Sequence, residues 1–425
     1  MQNGSKLDAT EFTHAEFRAR RTIIESTQPL PGARLTVFVG LFNSDPYFDH
    51  LVEQIEAQTL HSTRWLLVDN DSQDKTWSRV TAWASSIQRD VTLVSNGINL
   101  GATGSIFVNM DLVSTEWVTF IHQDDVYLPL HLETLQTAAV SSPPGTVGVF
   151  SDMARTNAAG KPIGSFPPPI WMVPDLDPPT VFLSLLRNHC IPWSALAVRS
   201  EVFRQTEAPW HSTAFPDTEI TMRLAARGRF VHIDKETMRY RDNMASESRS
   251  IDDRERKFGA TVSLMRVFNS AEFASIALDL PQRERASFAT GLRNSILVRL
   301  GDTDRAHLVI AAANERLSQL WDDSEPAVLD TLASVYGGLG AAATAGLLDR
   351  MSEVAGGAGA RTPIAPDPDA VTVTRAAVTV PIFVMRAYER FGPLLPYLFR
   401  RALARLVIRT ATRNDPLSAW RFEWR

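Results

Sequence analysis

Four polar clusters each sit beside a run of apolar residues. Gly40-Leu41-Phe42-Asn43 closes the run LTVFVGL at 35–41, and Asp69-Asn70-Asp71-Ser72-Gln73-Asp74 closes 65–68. Asn99-Leu100-Gly101 precedes a stretch of small and apolar residues, and His122-Gln123-Asp124-Asp125 closes WVTFI at 117–121. Adjacent carboxylates such as Asp124 and Asp125 repel, so they call for a cation or hydrogen-bond donors nearby. Mg2+ is typically held by one or two carboxylates plus substrate phosphates. The chemistry indicated is a metal–diphosphate site, with the Phe42 ring and the Asn70 amide available to a base. Taken singly, each cluster is also an ordinary polar turn or helix cap.

Ligands of open α/β sheets bind outside the carboxyl ends of the strands, so these clusters need a sheet behind them. The apolar runs at 35–41, 65–68, 91–94, 117–121 and 147–150 read as buried strands. Helices are expected between them. Phe48, Leu51, Val52 and Ile55 make one apolar face after Pro46, and 75–83 and 102–112 follow. Pro129 opens another helix, with Leu132 and Leu135 inward. This alternation predicts βαβ units on a parallel sheet. Beyond Ser151 the rhythm changes. The segment 164–179 is proline-rich and holds Trp171. A strand at 195–198, a helix at 217–227, and strands at 230–233 and 238–241 are expected. From 251 to about 354 the pattern is helical, with Phe288, Leu292 and Ile296 in one stripe. The expected fold class is α/β: a nucleotide-binding domain with a central, mainly parallel sheet, plus an α-helical C-terminal extension. The expected division is an N-terminal helical segment at 1–30, the α/β domain at 31–250, a helical extension at 251–355, a linker at 356–370 and a tail at 371–425.

In order, the clusters resemble the motifs of family-2 glycosyltransferases with the GT-A fold. That family's short "T-Y-N" segment, "Q-T" and "V-D-D-G-S-x-D-x-T" are similar to residues 40–43, Gln58-Thr59 and 68–76. Its "N-x-G" resembles Asn99-Leu100-Gly101, and its "D-x-D-D" metal motif resembles His122-Gln123-Asp124-Asp125. Its "E-D-x-E-L-x-x-R-L-x-x-x-G" resembles 216–228, and its "Y-R-x-H" resembles 240–243, so the likeness covers roughly 34–250. Asn70, His122, Pro216 and Asn243 stand where the family commonly has Asp, Asp, Glu and His.

The resemblance implies an inverting transferase of sugar from a UDP- or dTDP-sugar to an acceptor hydroxyl, in bacterial cell-surface polysaccharide synthesis. It implies donor contacts at Phe42, Asn43, Asp69, Asn70, Asn99, Gly101 and Asp124. It implies Mn2+ or Mg2+ on Asp125, with Asp124 and His122 as further ligands. Asp217 would be the general base, supported by Glu219. Trp193, Ser194 and Trp171 fall where an acceptor, a glycan or a lipid-linked sugar, would be met. Plainer readings stand beside these: an N-cap for Asp217, an ion pair with Arg223 for Glu219, a strand-end histidine for His122, and a core position for Trp193.

At 425 residues, 44% hydrophobic and 21% charged, the chain is globular, which excludes a disordered or fibrous protein. A net charge of −5 argues against a nucleic-acid coat. The single cysteine, Cys190, excludes an internal disulfide and a multi-cysteine zinc site. No signal peptide and no run long enough to cross a bilayer is recognised, so a cytoplasmic location is expected. The tail differs from the rest: 371–425 holds ten arginines, three acids and no lysine. Within it, Arg401, Arg405 and Arg409 form a stripe opposite Leu395, Phe399, Leu403 and Leu406 across 395–409. That pattern fits a helix lying on the inner face of a membrane, or one packed on the preceding helices. Two rival functions remain. A sugar nucleotidyltransferase normally needs a basic Gly-rich loop, and 35–45 has a single glycine and no Lys or Arg. An inactive sugar-nucleotide-binding or glycan-binding homologue is separated from an enzyme by turnover.

Overall fold

The computed structural model describes residues 14–157, 161–165, 177–186, 191–206, 216–241, 253–301 and 303–321. They form two compact units. The first comprises the described residues up to 165 with 191–206, 216–220 and 228–241; the second comprises 177–186, 221–227 and 253–321.

The first unit is a ten-stranded sheet. Its strands are β1 (Thr22–Ile24), β2 (Leu35–Leu41), β3 (Arg64–Asp69), β4 (Asp90–Ser95), β5 (Trp117–Ile121), β6 (Val126–Tyr127), β7 (Thr146–Thr156), β8 (Pro162–Ser165), β9 (Leu196–Arg199) and β10 (Arg229–Arg241). The order is β1-β4-β3-β2-β5-β9-β7-β10-β6, with β8 on β7. Strands β4, β3, β2 and β5 are mutually parallel, and β7 pairs β10 parallel. The chain builds outward from β2 to β4, then crosses back to lay β5 on the other side of β2. The order reverses there, the point at which open α/β sheets take their ligands.

Alternate residues of each strand serve opposite faces. Leu35, Val37, Val39 and Leu41 of β2 share a core with Phe48, Leu51 and Ile55 of α2 (Phe48–Glu56), Val80 of α3 (Thr76–Ala84), and Leu132 and Leu135 of α5 (His131–Ser141). On the other face Phe38 and Phe120 meet at 6.1 Å between ring centroids, and Phe120 also packs with Trp193 and Phe203. The helix between β4 and β5, α4 (Gly101–Asn109), is buried from Thr103 to Asn109, small and polar residues included.

Most expected elements are present within a residue or two. Three differ. The N-terminal segment, expected to be helical, has a short helix α1 (His14–Arg18) but also β1, whose Thr-Ile-Ile pairs antiparallel with β4 and covers that sheet edge. The two strands expected at 230–233 and 238–241 are one strand, β10. Its polar middle passes through register shifts between Ile233 and Met238 instead of turning back. The segments 177–186 and 221–227, expected within the 31–250 domain, group with the later helices.

The second unit is helical, as expected for 251–321. Its helices are Pro178–Leu186, Asp253–Phe268, Ala271–Asp279, Gln282–Leu300 and Asp304–Trp321. Phe273 meets Phe182, Phe268 and Phe288, and the stripe Phe288, Leu292, Ile296 is buried. The Ser270 side chain caps the helix Ala271–Asp279 by accepting from Phe273 N–H. Glu272 takes Arg223 at 3.2 Å and Arg227 at 2.8 Å. Burial pushes its carboxyl up, but these partners prevail and hold it below the usual range. The expected linker and tail lie outside the described residues.

Candidate active site at the strand ends

The loops after β2 and β3 are stapled together. Asn43 adopts the left-handed conformation (φ 48°), which Asn tolerates better than most residues. Its backbone N–H donates to Ser72 Oγ at 2.9 Å, and its Oδ1 accepts from Gln73 N–H at 2.9 Å. Asp45 N–H donates to Asp74 Oδ2 at 3.1 Å. Ser44 bridges to the β5 loop, donating its hydroxyl to Gln123 Oε1 while its N–H donates to Thr76 Oγ1. The Phe42 ring stands at 42% exposure, unusual for a phenylalanine and suited to a flat partner.

Asp69 ends β3 almost fully buried. Its Oδ2 accepts from Ser72 N–H, while Oδ1 is buried without a hydrogen-bond partner. Burial raises its pKa, Ser72 opposes that, and Asp71 and Asp74 add to it. An orphaned acceptor in this place is suited to a ligand N–H or O–H. Asn70 lies beside it, inside a set of buried amides. It donates Nδ2 to Asn99 Oδ1 (2.8 Å) and accepts on Oδ1 from Asn96 Nδ2 (3.0 Å) and Leu100 N–H (3.0 Å). Asn99 Oδ1 also accepts from Gly101 N–H at 2.9 Å. Gly101 begins α4 at φ +71°, which explains the glycine by conformation, since a Cβ would find open space there.

In the β5 loop, Asp125 is 2% exposed and held on several sides. Ser194 Oγ donates to its Oδ2 at 2.8 Å and Arg241 N–H to its Oδ1 at 3.1 Å; its carbonyl lies 3.0 Å from His50 Nε2. Burial pushes the Asp125 carboxyl up to about 6; His122 pulls it down and Asp124 pushes it up. Asp124 is half-buried and His122 exposed. The His122 N–H donates to the Tyr127 hydroxyl at 2.8 Å.

Ser194 and Trp193 lie in a tight turn, 193–195, before β9. Trp193 is buried, stacks on Phe120 at 5.0 Å, and donates its indole N–H to the Asp217 carbonyl at 3.2 Å. Asp217 is in the first turn of the helix Pro216–Arg227, half-buried, and Glu219 is buried two residues on. The same dipeptide therefore ties down both Asp125 and Asp217. Of the expected acceptor residues, Trp193 and Ser194 sit in this support, and Trp171 lies outside the described residues, as does Asn243.

Sequence reading alone gave no site role to Asn96, Ser105, Asn109, Ser44, His50 or Arg241. One signal was available: three asparagines within 96–109, flanking or ending a helix of small and apolar residues. Such a helix buries its polar side chains, and buried polar groups must find one another.

Residues 36–202 match the family model described as glycosyl transferase family 2. An uncharacterized glycosyltransferase of Haemophilus influenzae is 24% identical over 103 residues, 24% of this chain and 32% of that relative, so the match spans about a third of its length. Among solved structures, S. aureus TarS 1-349 in complex with UDP-GlcNAc is similar at TM-score 0.50 and 15% identity, over 71% of this chain and 83% of that one. A mannosyltransferase from Pyrobaculum calidifontis, in complex with GDP-Man and Mn2+, is a looser likeness at TM-score 0.43 and 14% identity, over 80% and 86%. The fold is the GT-A arrangement that the ordered motifs led one to expect, and residues 36–202 are similar in sequence to glycosyl transferase family 2.

Proposed function

We propose that the chain transfers a sugar, with inversion, from a nucleoside diphosphate-sugar to an acceptor hydroxyl. The observation that carries this reading is the convergence of the β2, β3, β4 and β5 loops at the point where the strand order reverses. There they bring an exposed aromatic ring, an orphaned carboxylate oxygen and a buried aspartate to one end of the sheet. In this reading Phe42 lies against the base and Asp69 Oδ1 accepts from the base or ribose. The pyrimidine nucleotide-sugars, UDP- and dTDP-sugars, are the expected donors. The acceptor is a growing cell-surface glycan or a lipid-linked sugar.

The donor set also fits a divalent cation. Among the described residues no three His, Cys, Asp or Glu side chains gather into a cage. A cation held by one or two carboxylates and by diphosphate oxygens needs none. A buried carboxylate beside a second one is costly when ionised, and a cation relieves that cost. Asp125 would hold Mn2+ or Mg2+, with Asp124 and His122 adjoining. A bound cation supplies positive charge to the diphosphate as it leaves. Ser194 and the Arg241 N–H keep the Asp125 carboxylate oriented. Asp217 takes the proton of the acceptor hydroxyl as its oxygen bonds to the anomeric carbon. The carbon–oxygen bond to the diphosphate breaks on the opposite face, and the electron pair departs with the nucleoside diphosphate.

The test is a thermal-shift series with UDP, dTDP and GDP, with Mn2+ or with EDTA, on the wild type and on Asp125→Ala. A ligand that binds only the folded chain raises the melting temperature. The expected result is a nucleotide shift in the wild type that needs the cation and disappears in Asp125→Ala, together with loss of sugar transfer. Transfer by Asp125→Ala at the wild-type rate in EDTA would reject the metal site. Absence of any nucleotide shift in the wild type would reject the donor reading.

A further inference from the structure

We infer that Asn70 is a positioning residue that latches the donor loops together, and that it does not read the base. This rests on the donor-site reading above. The argument is one of hydrogen-bond direction. Backbone N–H groups can only donate, so each one fixes the orientation of the amide it meets. Gly101 N–H donates to Asn99 Oδ1, so that oxygen is an acceptor, and Asn70 at 2.8 Å must present a donor to it. Leu100 N–H donates to the other side of Asn70, which must therefore present an acceptor there. Only an amide meets both demands, because a carboxylate would set oxygen against oxygen at Asn99.

The network continues inward on the same logic. Asn109 Nδ2 donates to the Ser105 carbonyl at 2.8 Å, so it is a donor to Asn96 Oδ1 as well, at 2.9 Å. Asn96 must then turn its own Nδ2 toward Asn70 and Ser105 Oγ, each at 3.0 Å. The Asn70 N–H meanwhile donates to the Leu41 carbonyl at 2.8 Å. One residue thus joins the ends of β2, β3 and β4 and the start of α4. Both polar ends of its side chain are engaged, which leaves the neighbouring Asp69 Oδ1 for the ligand. The family's common aspartate at this position is incompatible with the Asn99 orientation found here.

Two isosteric changes separate the alternatives. Asn70→Asp removes the donor that Asn99 requires, whereas Asn99→Asp keeps an acceptor for both Gly101 N–H and Asn70. Without ligand, Asn70→Asp should melt several degrees below the wild type and Asn99→Asp close to it. Well below its melting temperature, Asn70→Asp should bind UDP, dTDP and GDP each roughly tenfold more weakly, in the wild-type order of preference. Tighter binding of one nucleotide, or a changed order, would make Asn70 a base reader and overturn the latch. Unchanged nucleotide affinity with a lower melting temperature would reduce it to a fold contact and also overturn the proposal. The ligand-free comparison needs no nucleotide. If the wild type bound none, the donor reading would fall, while equal melting of the two variants would independently reject the latch.

Discussion

Trp193 and Ser194 are consecutive residues that restrain two carboxylate-bearing segments, through the Asp217 carbonyl and the Asp125 side chain. The Trp193 indole grips a main-chain oxygen, so replacing the Asp217 side chain leaves that grip in place. Asp217→Asn also keeps the side-chain shape and any capping bond while removing the proposed base. Donor binding should survive, and kcat should fall by roughly 10²–10⁴-fold. Steady-state transfer beside a melting curve checks this: normal turnover with a lower melting temperature would make Asp217 a helix cap only. At this scale the motif spacing pointed to Asp69, Asp125 and Asp217 as candidates, and their roles are the ones proposed above. The engagement of Asn70 was not, because it depends on which backbone N–H groups face it.

His131 starts α5 and joins it to the sheet. Its Nδ1 lies 2.8 Å from Thr237 Oγ1 on β10, which in turn meets Ser151 Oγ on β7. The ring is fully buried and burial holds its pKa down to about 3. The unfolded chain therefore binds a proton that the folded chain refuses between about pH 6.5 and pH 3. The stability due to neutral His131 is complete above that window and is lost as pH falls through it, by roughly tenfold in the folding constant per pH unit. Asp125, raised to about 6 by burial, acts with the opposite sign, so the comparison must be made against a variant. His131→Asn keeps a polar atom near Nδ1 and does not titrate. The gap in melting temperature between wild type and His131→Asn should shift against the wild type from pH 7 to pH 4.5, and a constant gap would refute the assignment. Periodicity foretold α5 and its inward Leu132 and Leu135. It did not foretell that 229–241 runs as one strand, since the polar middle that looked like a turn is accommodated by register shifts against β7.

Over the whole molecule, the sheet unit carries the candidate site, and the helical unit has its own core around Phe273. No helix among the described residues is long and apolar enough to cross a membrane. Attachment to a lipid surface is proposed, on its charge pattern, for the basic stripe at 395–409, outside the described residues. A helix of that pattern gains about 1 kcal/mol per basic residue near an anionic surface. In co-sedimentation with anionic liposomes at low salt, the full chain should pellet and a chain stopped after Asp369 should stay in solution. Equal, negligible pelleting of both would leave the stripe as a packing face. A lipid-linked acceptor would make such attachment useful, because it brings the site to its substrate.

The sequence by itself determined the parallel βα rhythm from 35 to 150, the four polar clusters and the likeness of residues 36–202 to glycosyl transferase family 2. Each depends on local periodicity and on residue order, which one chain displays without its partners in space. Tertiary structure alone decided the rest. The reversal of strand order brought the loops after β2 and β5 together, so that Ser44 meets Gln123. Pairing with β4 made an edge strand of residues 22–24 in a segment that read as helix. The segments 177–186 and 221–227 joined the later helices because apolar burial acts between whatever surfaces meet, with no memory of sequence distance. The amide network is the sharpest case. Whether Asn70 faces a ligand or a neighbour depends on the direction of the Leu100 and Gly101 N–H bonds, and that direction exists only once the loops are folded.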